Sequence, residues 1–259
     1  MATALVTGGT SGIGAAFAKA LALRGYDMVL VARNEERLAA TALALEAYGV
    51  SVETISADLA VRADVDRVAA RLEDDEHPID MLVNNAGFGL HASLIDRDTR
   101  VHEQAFAVMC LAVLVLGGAA ARAMSKRHRG TIVVVSSVAG TIATGNYSAV
   151  KAWTTAYAEG LAVELKRTGV QVTALLPGWV RTEFHERAGI RTTSIPDQLW
   201  LDADDLVDEA LRDVARGKVI SVPSARFKLL MFFTRHLPRA TIRWISGNIS
   251  RSRSRPVEG

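Results

Sequence analysis

Residues 7–14 read TGGTSGIG. They follow an apolar run of strand length, ATALVT (2–7), and lead into a stretch where Ala16, Phe17, Ala20 and Leu21 recur at helical spacing. A strand that turns through glycines into a helix suits a phosphate. Gly8, Gly12 and Gly14 would supply the tight turn, the close approach of backbone to the anion and the close packing of helix on strand. The helix starting near Ser11 would offer its unpaired N–H groups to the same anion. A glycine-rich turn without a ligand is the alternative. The position straight after the first strand, and the spacing G-x-x-x-G-x-G in place of the commoner G-x-G-x-x-G, favour the ligand.

Outward from this stretch the chain alternates. Short apolar runs recur at YDMVLVA (26–32), VSVETISA (50–57), IDMLV (79–83), TIVVVS (131–136), VQVTALL (170–176) and KVISV (218–222), with helical spacing between them, as in Leu38, Leu43 and Leu45. Strands that are apolar on both faces and separated by helices predict an α/β fold: a doubly wound, Rossmann-like parallel sheet of about seven strands covered by helices on each side. Ligands of such sheets bind beyond the carboxyl ends of the strands, so those positions carry the functional reading. At 259 residues and 49% hydrophobic content, one domain is the expectation for residues 1–222.

Cys110 is the only cysteine, which excludes an internal disulfide and a cysteine-built metal site, and no metal site is expected. The N-terminus begins at once with a strand pattern and carries no signal-peptide pattern, so a reducing, cytoplasmic setting is expected. The formal charge of +2 conceals an asymmetry: residues 226–259 hold Lys228 and seven arginines against Glu258 alone. This basic segment, 223–259, is read as a C-terminal extension that is both cationic and rich in large apolar residues. Its longest uncharged apolar run, LLMFF, is too short to span a bilayer. A helix docked on a partner subunit is the preferred reading, with an interfacial helix on a membrane surface and nucleic-acid binding as alternatives. No nucleic-acid-reading element accompanies the arginines.

Further short motifs stand at successive strand ends: Asp58 in SADL (56–59), NNAG (84–87), SSVAG (136–140), YSAVK (147–151) and PGWVRT (177–182). Taken alone, Tyr147 and Lys151 at i, i+4 would be an ordinary helix face with a lysine stem packed on a ring. Taken together, and in this order, the six signals resemble the short-chain dehydrogenases/reductases of the single-domain, NAD(P)-dependent kind. The likeness covers residues 1 to about 222.

The resemblance implies an oxidoreductase that interconverts a carbonyl and an alcohol. Tyr147 would give a proton to the substrate oxygen or take it back, Lys151 would lower the tyrosine pKa and hydrogen-bond the nicotinamide ribose, and Ser137 would hold the carbonyl oxygen. The cofactor would lie along Gly8, Thr10, Ser11, Gly12, Ile13 and Gly14. Asp58 and the backbone near Leu59 would meet the adenine, while Asn85, Ala86 and Gly87 would line the cofactor. Thr182 would bind the carboxamide, with Pro177, Gly178 and Val180 completing the set. At the end of the second strand, where an acidic residue would select NAD, the sequence has Ala32 followed by Arg33, which points to NADP(H) with Arg33 on the 2′-phosphate.

Two departures stand out. Ser137 and Tyr147 are ten positions apart, two or three fewer than is usual in the family, so the pocket should be more open on that side or the serine displaced. The family's asparagine in the helix after strand four falls on Met109, and no asparagine occurs between Asn85 and Asn146. A main-chain carbonyl could still serve a proton relay there, or the protein is a slowed or non-catalytic relative. Residues 183–205 form the variable substrate loop; Phe184, Leu199, Trp200 and Leu201 suggest an apolar substrate, with an acidic handle near Arg187 or Arg191, and His185 reads as a surface residue. The apolar stretch 105–120 and the helix of Tyr147 suggest a homodimer or homotetramer. Three function classes follow: an NADP(H)-dependent reductase or dehydrogenase, a dinucleotide-binding regulator, and a membrane-surface or scaffolding protein.

Overall fold

The structure, a computed structural model, describes residues 1–90, 92–182 and 197–253. Seven parallel strands form one sheet: β1 (Thr3–Thr7), β2 (Asp27–Ala32), β3 (Val52–Ser56), β4 (Met81–Asn84), β5 (Gly130–Val135), β6 (Val170–Leu175) and, after a separate two-stranded pair, β9 (Ile220–Ser221). Each coincides with one of the apolar runs of the sequence, β4 reaching one residue past its run to Asn84 and β5 starting one residue before its run at Gly130. The spatial order is β3-β2-β1-β4-β5-β6-β9, so the chain reverses direction across the sheet between β1 and β4. Ala4 pairs with Met28 on one side and Met81 on the other, which places Thr7 and Asn84, the last residues of β1 and β4, at the same end.

Alternation along each strand builds two cores. Leu5, Leu82, Ile132 and Val134 point to one face, where they meet Val68 and Leu72 of α3 (Arg62–Leu72), Leu116 and Met124 of α5 (Ala112–Lys126) and Ala158 of α6 (Asn146–Glu164). Val6, Val83 and Val133 point to the other, against Phe17 and Leu21 of α1 (Gly12–Ala22), Leu38 of α2 (Glu35–Glu46) and Leu206 and Val207 of α7 (Ala203–Ala215). Each of these aliphatic side chains contributes about 1.5–3 kcal/mol by leaving water, and the two-sided burial explains why the strands carry no polar alternation. The stretch Arg100–Lys126 is long and apolar enough to cross a bilayer, yet here it packs against the sheet. It comprises α4 (Arg100–Phe106), one π-helical turn at Ala107–Leu111, and α5.

The remaining elements frame the site. A short parallel pair, β7 (Trp179–Val180) with β8 (Trp200–Leu201), joins PGWV to the far end of the substrate loop, and Arg181 N donates to Leu201 O at 3.0 Å. The C-terminal helices α8 (Ala225–His236) and α9 (Arg239–Arg253) bury Phe227, Met231, Ile242 and Ser246. The sequence reading set 223–259 apart as an extension; in the structure Phe227 and Met231 belong to the same apolar cluster as β5 and β6.

Candidate active site

The glycine loop and the NNAG segment meet where the sheet reverses. Thr7 Oγ1 accepts from Asn85 N at 2.9 Å and from Ala86 N at 3.0 Å, and Asn85 Nδ2 donates to Thr7 O at 2.9 Å. This lattice holds Gly8 in the left-handed region at φ 66° and brings its carbonyl so close to Gly14 that any Cβ there would collide with it. Backbone lines most of this cradle, beside the Asn85 amide, and the N-terminal N–H groups of α1 open onto it from Gly12, so the shape fits a diphosphate. Thr10, Ser11 and Ile13 are partly exposed around the same turn, and the Thr182 side chain lies over Gly12, joining PGWVRT to the loop.

Asp58 N donates to Asp64 Oδ2 at 2.7 Å, and Asp58 Oδ1 accepts from Ala60 N at 3.0 Å, so the SADL turn is held by its own carboxylate and that of Asp64 in α3, with Leu59 buried beneath it. Arg33 follows the last residue of β2 directly, is exposed, and has no hydrogen-bond or ion-pair partner among the described residues. Asn34 caps α2 by accepting from Arg37 N at 2.7 Å, which fixes the turn that carries Arg33.

Despite the short connection, Ser137 reaches Tyr147. The Ser137 hydroxyl accepts from Ala139 N at 3.1 Å, donates to Pro177 O at 3.4 Å and lies close enough to the Tyr147 phenol to favour its ionised form. The serine therefore stands beside the tyrosine despite the shorter spacing. The loop between them is also braced from outside, because Ala143 N donates to Ser246 Oγ of α9 at 3.0 Å. Nor does Gly140 leave room for a looser turn: a Cβ on it would press on the backbone of Lys151 and Ala152 at 2.8 Å.

The electrostatics differ from the simple pairing of phenol and ammonium. Lys151 Nζ donates to Val135 O at 2.9 Å and lies 5.9 Å from the centre of the Tyr147 ring. Burial pushes the Tyr147 pKa up to about 12, outweighing the opposing effect of the Ser137 hydroxyl. Burial also lowers Lys151 to about 8. The expected stabilisation of tyrosinate by Lys151 is thus outweighed in this structure, because the ammonium is turned to a carbonyl and the phenol is desolvated.

Met109 sits at the centre of the π-helical turn, 1% exposed, among Leu90, Ala105, Cys110 and Val150. Its sulfur packs against Gly87 of NNAG, and its carbonyl lies 3.3 Å from Thr154 Oγ1, which donates more closely to Val150 O at 2.8 Å. Three neighbours of Lys151 were not read from the sequence. Ser136 Oγ donates to Lys151 O at 2.7 Å, Thr155 Oγ1 donates to the same carbonyl at 3.1 Å, and Cys110, its own thiol pushed up to about 11 by burial, lies within electrostatic reach of the ammonium. The i+4 step from Lys151 to Thr155 was the available signal for one of them; Cys110 had none. The substrate-loop residues Phe184, His185, Arg187 and Arg191 lie outside the described residues.

Residues 2–191 match the family model described as short chain dehydrogenase. Gluconate 5-dehydrogenase of Gluconobacter oxydans is 38% identical over 190 residues, spanning 72% of this chain and 74% of that protein. A short-chain dehydrogenase from Sphingobium yanoikuyae, solved in complex with NADPH, superposes with a TM-score of 0.82 at 34% identity, covering 100% of this chain and 98% of the other. The bulky-bulky ketone specific alcohol dehydrogenase from Comamonas testosteroni superposes with a TM-score of 0.78 at 28% identity, covering 100% and 96%.

Proposed function

The chain belongs to the short-chain dehydrogenase family and is an oxidoreductase, and from that premise we propose that it interconverts a carbonyl and an alcohol on an apolar substrate with NADP(H). The observation that carries this reading is the placement of Ser137 beside Tyr147, one helical turn before the buried Lys151, at the strand ends beside the glycine cradle. When bound, the nicotinamide supplies or accepts the hydride. Gly8, Gly12 and Gly14, with the α1 N-terminus, would hold the diphosphate, Asp58 and Leu59 the adenine side, and Thr182 the carboxamide. Arg33, exposed and unpaired among the described residues, supports NADP(H) over NAD(H), since a free guanidinium at the end of β2 suits a 2′-phosphate.

In the reductive direction Tyr147 is the proton donor. A phenol with its pKa near 12 is fully protonated at neutral pH, and an alkoxide developing on the substrate is more basic than tyrosinate, so the transfer runs downhill. Ser137, fixed by Ala139 N and Pro177 O, holds the substrate oxygen beside that phenol. Lys151 supplies positive charge to the resulting tyrosinate. The bulky-bulky ketone specificity of the Comamonas testosteroni neighbour and the apolar Trp179, Trp200 and Leu201 at the base of the substrate loop support an apolar substrate.

NADPH and NADH oxidation against a panel of aliphatic, aromatic and long-chain ketones tests this reading: turnover with NADPH supports it. The buried Met109 favours a second reading, a dinucleotide-binding regulator, which NADPH binding without consumption across the panel would select. A cytoplasmic setting and a homodimer or homotetramer belong to the same proposal. Phe106, Leu111, Leu114 and Val163, exposed along α4 to α6, are the surface we assign to pairing, and sedimentation at micromolar concentration checks it.

A further inference from the structure

The helix α8 is apolar on two sides. Phe227 and Met231 face the core, while Leu229, Phe232 and Phe233 recur at i, i+3 and i+4 on the opposite side, and Phe232 and Phe233 are 56% and 51% exposed. Their rings stack edge to face at 5.9 Å, and Leu230 on the same helix and Trp244 on α9 add further exposed apolar area, Trp244 at 67%. Left in water this surface is costly, so it has an occupant. Charge selects which. Residues 226–259 carry eight cationic side chains against Glu258 alone. Arg239 and Arg243 of α9 are exposed and have no partner among the described residues, while Lys228 pairs with Glu209 at 2.8 Å. A second copy meeting this face symmetrically would set the unpaired Arg239 and Arg243 against their own counterparts, which disfavours it. Nucleic acid would neutralise the arginines but would leave the leucines and phenylalanines wet.

We propose that α8 and α9 form a docking face for an anionic lipid surface, with Phe232, Phe233 and Trp244 entering the interface and Arg239 and Arg243 meeting the headgroups. The face is tied to the catalytic end of the sheet at two points. The Phe227 ring fills the space beside Gly178 where a side chain would stand, and Ser246 holds Ala143, four residues before Tyr147. Lipid binding itself does not rest on the enzymatic reading.

The full chain is sedimented with vesicles of phosphatidylcholine alone or mixed with phosphatidylglycerol. The mixed vesicles should capture it and the neutral ones should not, with capture falling at least tenfold as salt rises to about 1 M. R239Q/R243Q should weaken partition more than tenfold, at about fivefold per cation. F232S/F233S should do the same while keeping the thermal midpoint and NADPH affinity of the parent. Three results would overturn the proposal: equal capture by both vesicle types, wild-type partition in both double variants, or capture by neither vesicle type, in which case a dimer that F232S/F233S dissociates would assign the face to a second copy. Tight oligonucleotide binding without vesicle capture would overturn it in favour of nucleic acid.

Discussion

The hydroxyl of Ser137 stands beside the phenol of Tyr147 across a connection of only nine intervening residues. A 3-10 turn at Val138–Thr141, the left-handed Gly145 at φ 80°, and the brace from Ser246 to Ala143 close that distance. The pair forms the reacting end of the proposed site.

Removing the phenolic oxygen is the most direct test. Tyr147→Phe should abolish nearly all turnover while leaving NADPH affinity close to wild type, because only the reacting hydroxyl is lost. Steady-state kinetics beside a fluorescence titration of NADPH separates the two quantities. A variant that keeps more than roughly a tenth of wild-type kcat, about 1.4 kcal/mol of barrier, would remove Tyr147 from the proton-transfer role.

The cofactor preference turns on the end of β2. Replacing Ala32 with Asp and Arg33 with Ala removes the cation and places a carboxylate where the 2′-phosphate would lie, so preference should move from NADPH towards NADH by more than tenfold. Unchanged discrimination in paired titrations would mean that the phosphate is read elsewhere.

Lys151 gives a pH signature. Its folded pKa of about 8 lies below the ordinary 10.5, so below pH 8 both folded and unfolded chains hold the proton and the fold carries the full cost of a buried ammonium. Between about pH 8 and 10.5 the unfolded chain holds more protons, and stability attributable to this group rises with pH. Lys151→Met should therefore be inactive yet more stable than wild type at neutral pH by about 1–2 kcal/mol, the lost bond to Val135 O offsetting part of the gain. The advantage should shrink as pH rises through that window. Tyr147 acts in the opposite sense between about 10 and 12, where the folded state holds its proton longer, so denaturation curves are compared below pH 10. A difference between variant and wild type that stays constant from pH 7 to pH 10 would contradict the assignment.

Met109 separates the two readings of the site. Met109→Asn should change kcat only a few-fold, since the amide would enter an apolar cluster of Leu90, Ala105 and Val150 with little to bond. Met109→Ala should lower stability by about 2–5 kcal/mol through a cavity beside Gly87. If both variants fold and bind NADPH, a tenfold rise in kcat for Met109→Asn would show that the missing side chain limits the native enzyme.

Local chemistry in the sequence determined the strands, the glycine cradle and the Tyr147–Lys151 pair, because apolar runs, a backbone turn and an i, i+4 step each depend on residues close in the chain. Even there the edges moved inwards: the run at 218–222 yields a strand of only Ile220 and Ser221, where the sheet ends and one neighbour is missing. Tertiary structure alone decided the rest. The connection between Ser137 and Tyr147 is braced by Ser246, some hundred residues away in the chain, and the C-terminal helix α8 joins the core through Phe227, which finds the space beside Gly178. The pKa values of Tyr147 and Lys151 are set by desolvation, which sums over every element packed around them and is written in no single stretch of the chain.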